Sequence, residues 1–554
     1  MSEASLPLSL PERLRALAAA LGEGLMERDE AIRLGLITLI AGDNLLLLGP
    51  PGTAKSLIAR RLTAAVSDAR LFQHLLTPFS TPEELFGPLS LSALRERDVY
   101  ERRVEGFLPD AELAFLDEVF KAGSAILNTL LGLLNERQFV NGATVLNAPL
   151  LALVGASNEV PQEEGLRALY DRFALRLQVS PVEGEDSARR LFREGRVSPT
   201  PRLPPGLALS RSELLAARAL AEAIPLSPAL EELLVTLRRA LAARCREEGL
   251  GAYVSDRRWQ RLAGLCRASA LLSGRDVAAL ADADLLRHGL WDDPNDAPAR
   301  AALLYDALAE PEIALLSLGE PAALAQAALT SALQWLDACF GAPLPARYTA
   351  NVEGHAPWTF SEDELIAALR GELGALCRVA LLWDEPGQRL WRLRINAQGG
   401  LYTRWGQAIR QEDELRRFGA RADTLQVERP DVRLSRDEPP GLLLRFEALV
   451  DEAAKAEVVA RLGEVVTRLQ ALCAALEAAR LGPDGALSPA ARQAQRAGLA
   501  RAELRARQDH DTFVEVIAAA QAGGRLVLPA HPSASPRLIE EGPPALRLVR
   551  ALAG

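Results

Sequence analysis

Apolar residues recur at helical spacing through residues 12–42, first at Leu14, Leu17 and Leu21, then at Ile32, Leu36 and Leu39, and predict helix there. The pattern then changes. Leu45–Leu48 is a short apolar run that ends in Gly49-Pro50-Pro51-Gly52, as a buried parallel strand followed by a tight turn would. A helix is expected from about Lys55 to Val66. Further apolar runs at 113–116, 150–154 and 175–179 are separated by helical patterns. Strands alternating with helices in this way predict a parallel α/β sheet. Between 137 and 146, two short strand patterns flank Asn141-Gly142, a favoured hairpin dipeptide.

The proline-rich stretch from Ser198 to Gly206 is a stiff linker. Helical periodicity follows, opened by a capping box of Ser210 and Glu213, and holds to about His288. Residues 291–298 interrupt it, and helix resumes to about 340. Strand-like alternation marks 345–445: Trp391, Leu393 and Ile395 alternate with Arg392 and Arg394, Cys377–Trp383 is apolar, and Pro386-Gly387 and Gly399-Gly400 supply turns. Residues 446–481 return to helix, with Leu462, Val465, Leu469, Leu472 and Leu476 in a stripe too short for a long coiled coil and suited to a helical hairpin or bundle. A second helix starts near Ser488-Pro489. The divisions expected are 1–197, an α/β core; 207–290, a helical lid; 291–344, a helical connector; 345–445, a small β-rich domain; and 446–554, a C-terminal helical region.

Composition narrows the function classes. The chain of 554 residues is 49% hydrophobic and 25% charged, which is ordinary globular composition. Its net charge is −10, with no basic block, and this disfavours partners that present phosphate chains or anionic lipid. No stretch of about 18 uninterrupted apolar residues is present, and the N-terminus lacks a signal-peptide pattern, so no membrane insertion is expected. Cys245, Cys266, Cys339, Cys377 and Cys473 are scattered without a CxxC pair, which suits reduced thiols in a cytoplasmic protein. Only three of the 63 Lys and Arg residues are lysines: Lys55, Lys121 and Lys455. A lysine retained in so arginine-rich a chain points to a place where a compact ammonium is wanted.

Lys55 falls in such a place. Gly49-Pro50-Pro51-Gly52-Thr53-Ala54-Lys55-Ser56 is a P-loop in which Ala54 replaces the glycine before the lysine. The backbone N–H groups of such a loop surround a β-phosphate, Lys55 would place its charge on the β/γ-phosphates, and Ser56 offers a hydroxyl to Mg²⁺. The departure is harmless provided Ala54 keeps a negative φ. The apolar run 113–116 ends in Asp117-Glu118, where Asp117 would hold Mg²⁺ and Glu118 would act as general base toward water. The run 151–157 ends at Asn158, able to bond the water or the γ-phosphate. Arg172, in Asp171-Arg172-Phe173, suits stabilisation of transition-state charge, in its own subunit or a neighbouring one; Arg167 competes for that role.

The string as a whole resembles the AAA+ ATPases, and within them the MoxR family and its RavA branch. The resemblance is carried by GPPGTAKS (49–56), PEELFGPLSLSAL (82–94), the segment 100–142, GASNE (155–159) and LYDRFALR (169–176), and spans roughly residues 10–290. It implies an AAA+ P-loop core with parallel sheet and helical lid, then a helical C-terminal region containing a small β-rich domain. It also implies a hexameric ring with ATP between subunits. Lys55, Ser56, Asp117 and Glu118 match the Walker residues, Asn158 sensor 1 and Arg172 the arginine finger. Arg257, with Arg258 as alternative, falls where sensor 2 belongs. An insert at about 85–108 and the hairpin 137–146 are further family features. Lys121 receives no role.

The function this implies is a Mg²⁺-ATP hydrolase that remodels a protein client in a chaperone-like manner, working with a von Willebrand factor A domain protein. Two alternatives stand beside it. One is a scaffold that assembles on nucleotide with little hydrolysis, disfavoured by the intact Asp117-Glu118 pair. The other is a DNA-acting motor, disfavoured by the charge.

Overall fold

In the computed structural model, the residues described are 8–342 apart from 162–163, 195–196 and 249–252, eight strands between 347 and 445, and 446–529 apart from 448 and 483–486. The chain forms two compact units. One comprises residues up to Gly319 together with Leu476–Ala502; the other comprises Glu320–Ala475 and the chain from Glu503 onward.

The first unit opens with α1 (Leu10–Gly22) and α2 (Asp29–Ala41). The helix expected over 12–42 is therefore two helices. The chain turns between them, with Gly24 and Glu27 both at positive φ, and the Glu27 carboxylate accepts hydrogen bonds from the backbone N–H groups of Glu183 and Gly184. Then follow β1 (Leu45–Leu48), α3 (Lys55–Thr63), β2 (Leu71–Leu75), α4 (Pro82–Phe86), α5 (Leu91–Arg97), β3 (Leu113–Asp117) and α6 (Ser124–Glu136). The hairpin strands β4 (Gln138–Asn141) and β5 (Thr144–Asn147) precede β6 (Ala152–Ser157), α7 (Glu164–Tyr170), β7 (Leu175–Gln178) and α8 (Glu185–Glu194).

Strands β1, β2, β3, β6 and β7 form one sheet in the order β2-β3-β6-β1-β7, and every pairing is parallel. Alternation divides the leucines of β1 between two cores. Leu45 and Leu47 join a cluster that includes Leu14, Ile37 and Ile58, while Leu46 and Leu48 join one that includes Leu130, Leu153 and Phe173. A strand buried on both faces explains the unbroken Leu run. The 4–5 hairpin turns one residue later than expected. Asn141 pairs with Thr144, leaving Gly142-Ala143 as the loop, and only Gly142 has positive φ, at 63°. Glycine first with positive φ is the type II′ arrangement.

Of the helices α9 (Arg211–Ala223), α10 (Pro228–Glu248) and α11 (Asp256–Ser273), α9 packs on α2 and α11 on both α1 and α2, while α10 packs on the 3₁₀ segment Leu280–His288 that follows; all three bury side chains in the first core. The capping box of Ser210 and Glu213 is present at the start of α9. Next come α12 (Ala297–Leu308) and α13 (Pro311–Leu318).

The second unit opens with α14 (Glu320–Phe340) and β8 (Gly341–Ala342). It continues with β9 (Arg347–Val352), β10 (Trp358–Ser361), β11 (Leu382–Glu385), β12 (Gln388–Leu390), β13 (Leu393–Ile395), β14 (Leu401–Thr403), β15 (Val432–Asp437) and β16 (Gly441–Arg445). Five of these make an antiparallel sheet in the order β10-β9-β15-β12-β11. Most of the apolar stretch 377–383 and the turns Pro386-Gly387 and Gly399-Gly400 lie outside the described residues. The helices α15 (Glu452–Leu481) and α16 (Pro489–Ala522) follow, and the stripe Leu462, Val465, Leu469, Leu472 and Leu476 is buried. The region expected to be helical, 446–554, also contains a strand, β17 (Arg525–Pro529), which pairs with β16.

Candidate nucleotide site

The end of β1 delivers the loop 49–54 to the C-terminal edge of the sheet. Gly49 is fixed by a close approach, since a Cβ there would lie 2.3 Å from the carbonyl oxygen of Val179. Gly52 has φ +85 and Ala54 has φ +71, so the expectation that Ala54 keeps negative φ is corrected. Positive φ at 52 and 54, alternating with ordinary φ at 53 and 55, turns successive N–H groups to one side, the geometry of an anion-binding nest. The loop then feeds α3, whose first-turn N–H groups have no intrahelical acceptors.

Lys55 is buried, and its ammonium makes three hydrogen bonds: to the carbonyl oxygens of Gly49 (2.7 Å) and Pro50 (3.0 Å), and to Asn158 Oδ1 (2.7 Å). Burial pushes its pKa below the usual lysine value, while the carboxylates of Glu118 and Asp117 oppose that shift. Thr53 Oγ1 donates to the Pro50 carbonyl at 2.9 Å, bracing the loop.

Adjacent strands bring up the remaining groups. β3 ends at Asp117, whose Oδ2 accepts from Ser56 Oγ at 2.7 Å. Glu118 takes φ +51, a strained value for a non-glycine residue, and its N–H donates to Asp117 Oδ1 at 3.1 Å. Asn158, just beyond β6, donates through Nδ2 to Glu118 Oε1. Lys55, Ser56, Asp117, Glu118 and Asn158 are thus one contiguous cluster. The sequence reading assigned nothing to Lys121, yet its Nζ lies 3.3 Å from Glu118 Oε2, an ion pair outside hydrogen-bonding geometry to an oxygen that is otherwise buried and unpartnered. Its i, i+3 spacing from Glu118 was the available signal.

These residues fit Mg²⁺ and a nucleotide polyphosphate. Ser56 and Asp117 already juxtapose two hard oxygen donors, and the nest and Lys55 match phosphate. Among the described residues this is what the cluster can do chemically: hold an anion, hold a hard cation and place a carboxylate beside both.

The arginines lie elsewhere. Arg172 precedes β7, and its carbonyl accepts from Asn44 Nδ2 at 3.0 Å and from Arg261 at 2.9 Å. Asn44 stands at the start of β1, whereas the loop leaves its end. The intervening five rises amount to about 16 Å, so Arg172 sits at the opposite edge of the sheet from Lys55. Its guanidinium is held below the usual arginine pKa by burial and by the neighbouring charge of Arg257. Arg257 is exposed on the first turn of α11 and donates to Asn135 Oδ1 at 3.3 Å. Arg258 is buried and fully engaged with Asp171 and Asp292. Arg167 is exposed on α7, at a cavity of about 610 Å³ also lined by Asp171 and Arg258.

A parallel sheet in this order, a phosphate loop after β1 and paired acidic residues at the end of β3 define a P-loop protein of the AAA+ class. A family model described as the MoxR domain of MoxR-vWA-beta-propeller ternary systems matches residues 12–202, and one described as an AAA lid domain matches 229–301. Two uncharacterized proteins of Methanocaldococcus jannaschii, MJ0079 and MJ0812, are each 35% identical. The first aligns over 53% of this chain and 74% of its own length, the second over 51% and 72%. A solved structure from Cytophaga hutchinsonii, described as a candidate ATPase, aligns with 54% of this chain and 94% of its own at 20% identity. Its TM-score is 0.43. The chain belongs to the MoxR family of AAA+ ATPases.

Proposed function

We propose that the protein is a Mg²⁺-dependent ATP hydrolase that works as a hexameric ring and remodels a protein client. The observation that carries this is the division of the site: Lys55, Ser56, Asp117, Glu118 and Asn158 converge at one edge of the sheet, while the Arg172 backbone is anchored at the other. The tie of the Arg172 backbone to the start of β1, away from its own phosphate loop, supports a role for Arg172 at a neighbouring site. The site is completed when the arginine edge of one subunit meets the phosphate edge of the next, as a head-to-tail ring provides.

In that site the nest and Lys55 bind the phosphates, and Asn158 holds the Glu118 carboxylate where it can take a proton from water. Mg²⁺, held by Ser56 and Asp117, would neutralise phosphate charge. Arg172 is proposed as the finger and Arg257, its exposed neighbour, as sensor 2; the engagement of Arg258 with two carboxylates supports that choice. The proposed divisions are core 1–197, lid 207–290, connector 291–344, β-rich domain 345–445 and helical region 446–554. Their order supports a RavA-like arrangement. A von Willebrand factor A domain partner is proposed from the description of the matching MoxR model. A cytoplasmic setting is proposed as well, supported by the free thiols of Cys266, Cys339 and Cys473.

Subunit mixing tests the composite site. Arg172→Ala and Glu118→Gln are each expected to be nearly inactive. In randomly mixed 1:1 rings about a quarter of the interfaces join an intact Glu118 to an intact Arg172, and ATPase activity should return. No recovery in demonstrated mixed rings, or an active Arg172→Ala protein, would contradict the assignment and turn attention to Arg167.

A further inference from the structure

The segment that carries Arg172 is gripped by one face of α11 and the residue that caps it. Ser255 Oγ lies 3.3 Å from Asp171 Oδ2. Three residues on, Arg258 places Nε at 3.1 Å and Nη2 at 2.5 Å from Asp171 Oδ1. Three further on, Arg261 donates to the Arg172 carbonyl and pairs with Asp43 at 3.3 Å. The spacing is that of a single helix face. A second strap runs behind it. Arg258 Nη1 and Arg176 Nη1 both donate to Asp292 Oδ1, at 2.8 and 2.6 Å. Arg176 is fully buried, lies 4.0 Å over the Tyr170 ring and also donates to the carbonyls of Tyr170 and Trp291. Burial raises the pKa of Asp292, but the two guanidinium groups outweigh it and hold the carboxyl below its usual range.

Burying charges is expensive even when they are paired, and apolar packing of equal volume generally stabilises as well or better. What this network supplies is a fixed register between the lid helix and the stretch 170–176. Asp171 is held on both oxygens by lid side chains, and it is the residue next to Arg172.

We propose that Arg258, acting through Asp171 and Asp292, is a positioning residue that couples lid orientation to the placement of Arg172, so that the lid of one subunit governs whether its arginine reaches the neighbouring site. The proposal rests on the composite-site reading above. The side chain of Arg258 is bonded to Asp171 and Asp292, and in this role it sets where Arg172 stands.

The test uses the full-length chain with Arg258→Ala, and with Arg258→Lys, which keeps the charge but loses the fork on Asp171. Each is expected to lower kcat on the order of 10- to 100-fold, the effect of misplacing a reacting group by about 1 Å. ATP affinity should stay within about twofold, because the phosphate groups are bound at the other edge. Mixing either variant with Glu118→Gln should restore activity as mixing Arg172→Ala does, because the variant still supplies an intact Glu118 to a neighbour with an intact Arg172. If Arg258→Ala does not assemble, Arg258→Lys is read by the same criteria. Wild-type kcat in both variants would overturn the proposal. So would loss of ATP affinity with no recovery on mixing while Arg172→Ala still recovers, which is the signature of a general lid defect. If Arg172→Ala itself fails to recover, the composite-site reading falls first and the clamp with it.

Discussion

Replacing Ala54 tests whether the phosphate loop stores backbone strain. At φ +71 and ψ 20 a Cβ meets its own backbone, which disfavours the left-handed conformation by about 1–2 kcal/mol. Ala54→Gly removes that strain but gives the unfolded chain more freedom, offsetting about 0.4–1 kcal/mol. The net expectation is a stabilisation of about 0.5–1 kcal/mol, or roughly 1–3 °C in the melting temperature of a unit this large. Ala54→Val goes the other way, since a β-branched residue at positive φ is a true outlier, and should cost at least about 1 kcal/mol relative to wild type. Calorimetry of the nucleotide-free proteins gives the order directly, with Gly most stable, then Ala, then Val. ATP affinity of Ala54→Gly should remain near wild type, because the nest needs the positive φ that glycine adopts freely. A glycine variant less stable than wild type, or a valine variant as stable, would refute the strain argument.

Two further perturbations follow from the geometry. Lys121→Ala removes the ammonium 3.3 Å from Glu118 Oε2 and should lower kcat several-fold with little change in ATP affinity, measured by steady-state turnover and equilibrium binding; an unchanged kcat would mean that the ion pair does not help place the base. Glu213 is held down to about pKa 2, first by its hydrogen bond from Arg13 and then by the Ser210 cap. Because the folded value is depressed, the stabilisation is complete above the ordinary glutamate pKa and is lost as pH falls toward 2. With the side chain 43% exposed, Glu213→Gln should cost only about 1 kcal/mol near pH 7, and denaturant titrations should show the gap to wild type closing below about pH 4.

Local pattern made the central strands legible. β1 and β3 stand where the leucine run and LAFLD place them, because a strand buried on both faces leaves a continuous apolar signal. β2 left none: it is an edge strand with alternating exposure, and Leu71 and Leu75 are exposed. The phosphate loop and Asp117-Glu118 were visible because their residue types and spacing are tied to the chemistry itself. The φ of Ala54 was not, since its identity says nothing of the nest that fixes its conformation. Nothing in the local pattern marked Arg176 as an interior residue; the charge of this fully buried side chain is met by Asp292, 116 residues away in the sequence. The clamp around Asp171 was hidden for the same reason. Arginine and aspartate are surface residues by composition, and only tertiary partners make them interior ones. β17 pairs with β16 across some 80 residues, and a short strand of that kind is decided by its partner more than by its own pattern.

Glu118 is proposed as the base of an ATP-hydrolysing site whose binding groups are separate from it. The most direct measurement pairs ATP affinity with turnover at saturating ATP for wild type and Glu118→Gln. The substitution keeps Lys55, the nest and the Ser56–Asp117 pair, so the Kd for ATP should stay within about threefold, whereas turnover should fall by about 100-fold or more, the usual contribution of a positioned base. Near-normal turnover in Glu118→Gln, with ATP bound as tightly as in wild type, would contradict the account.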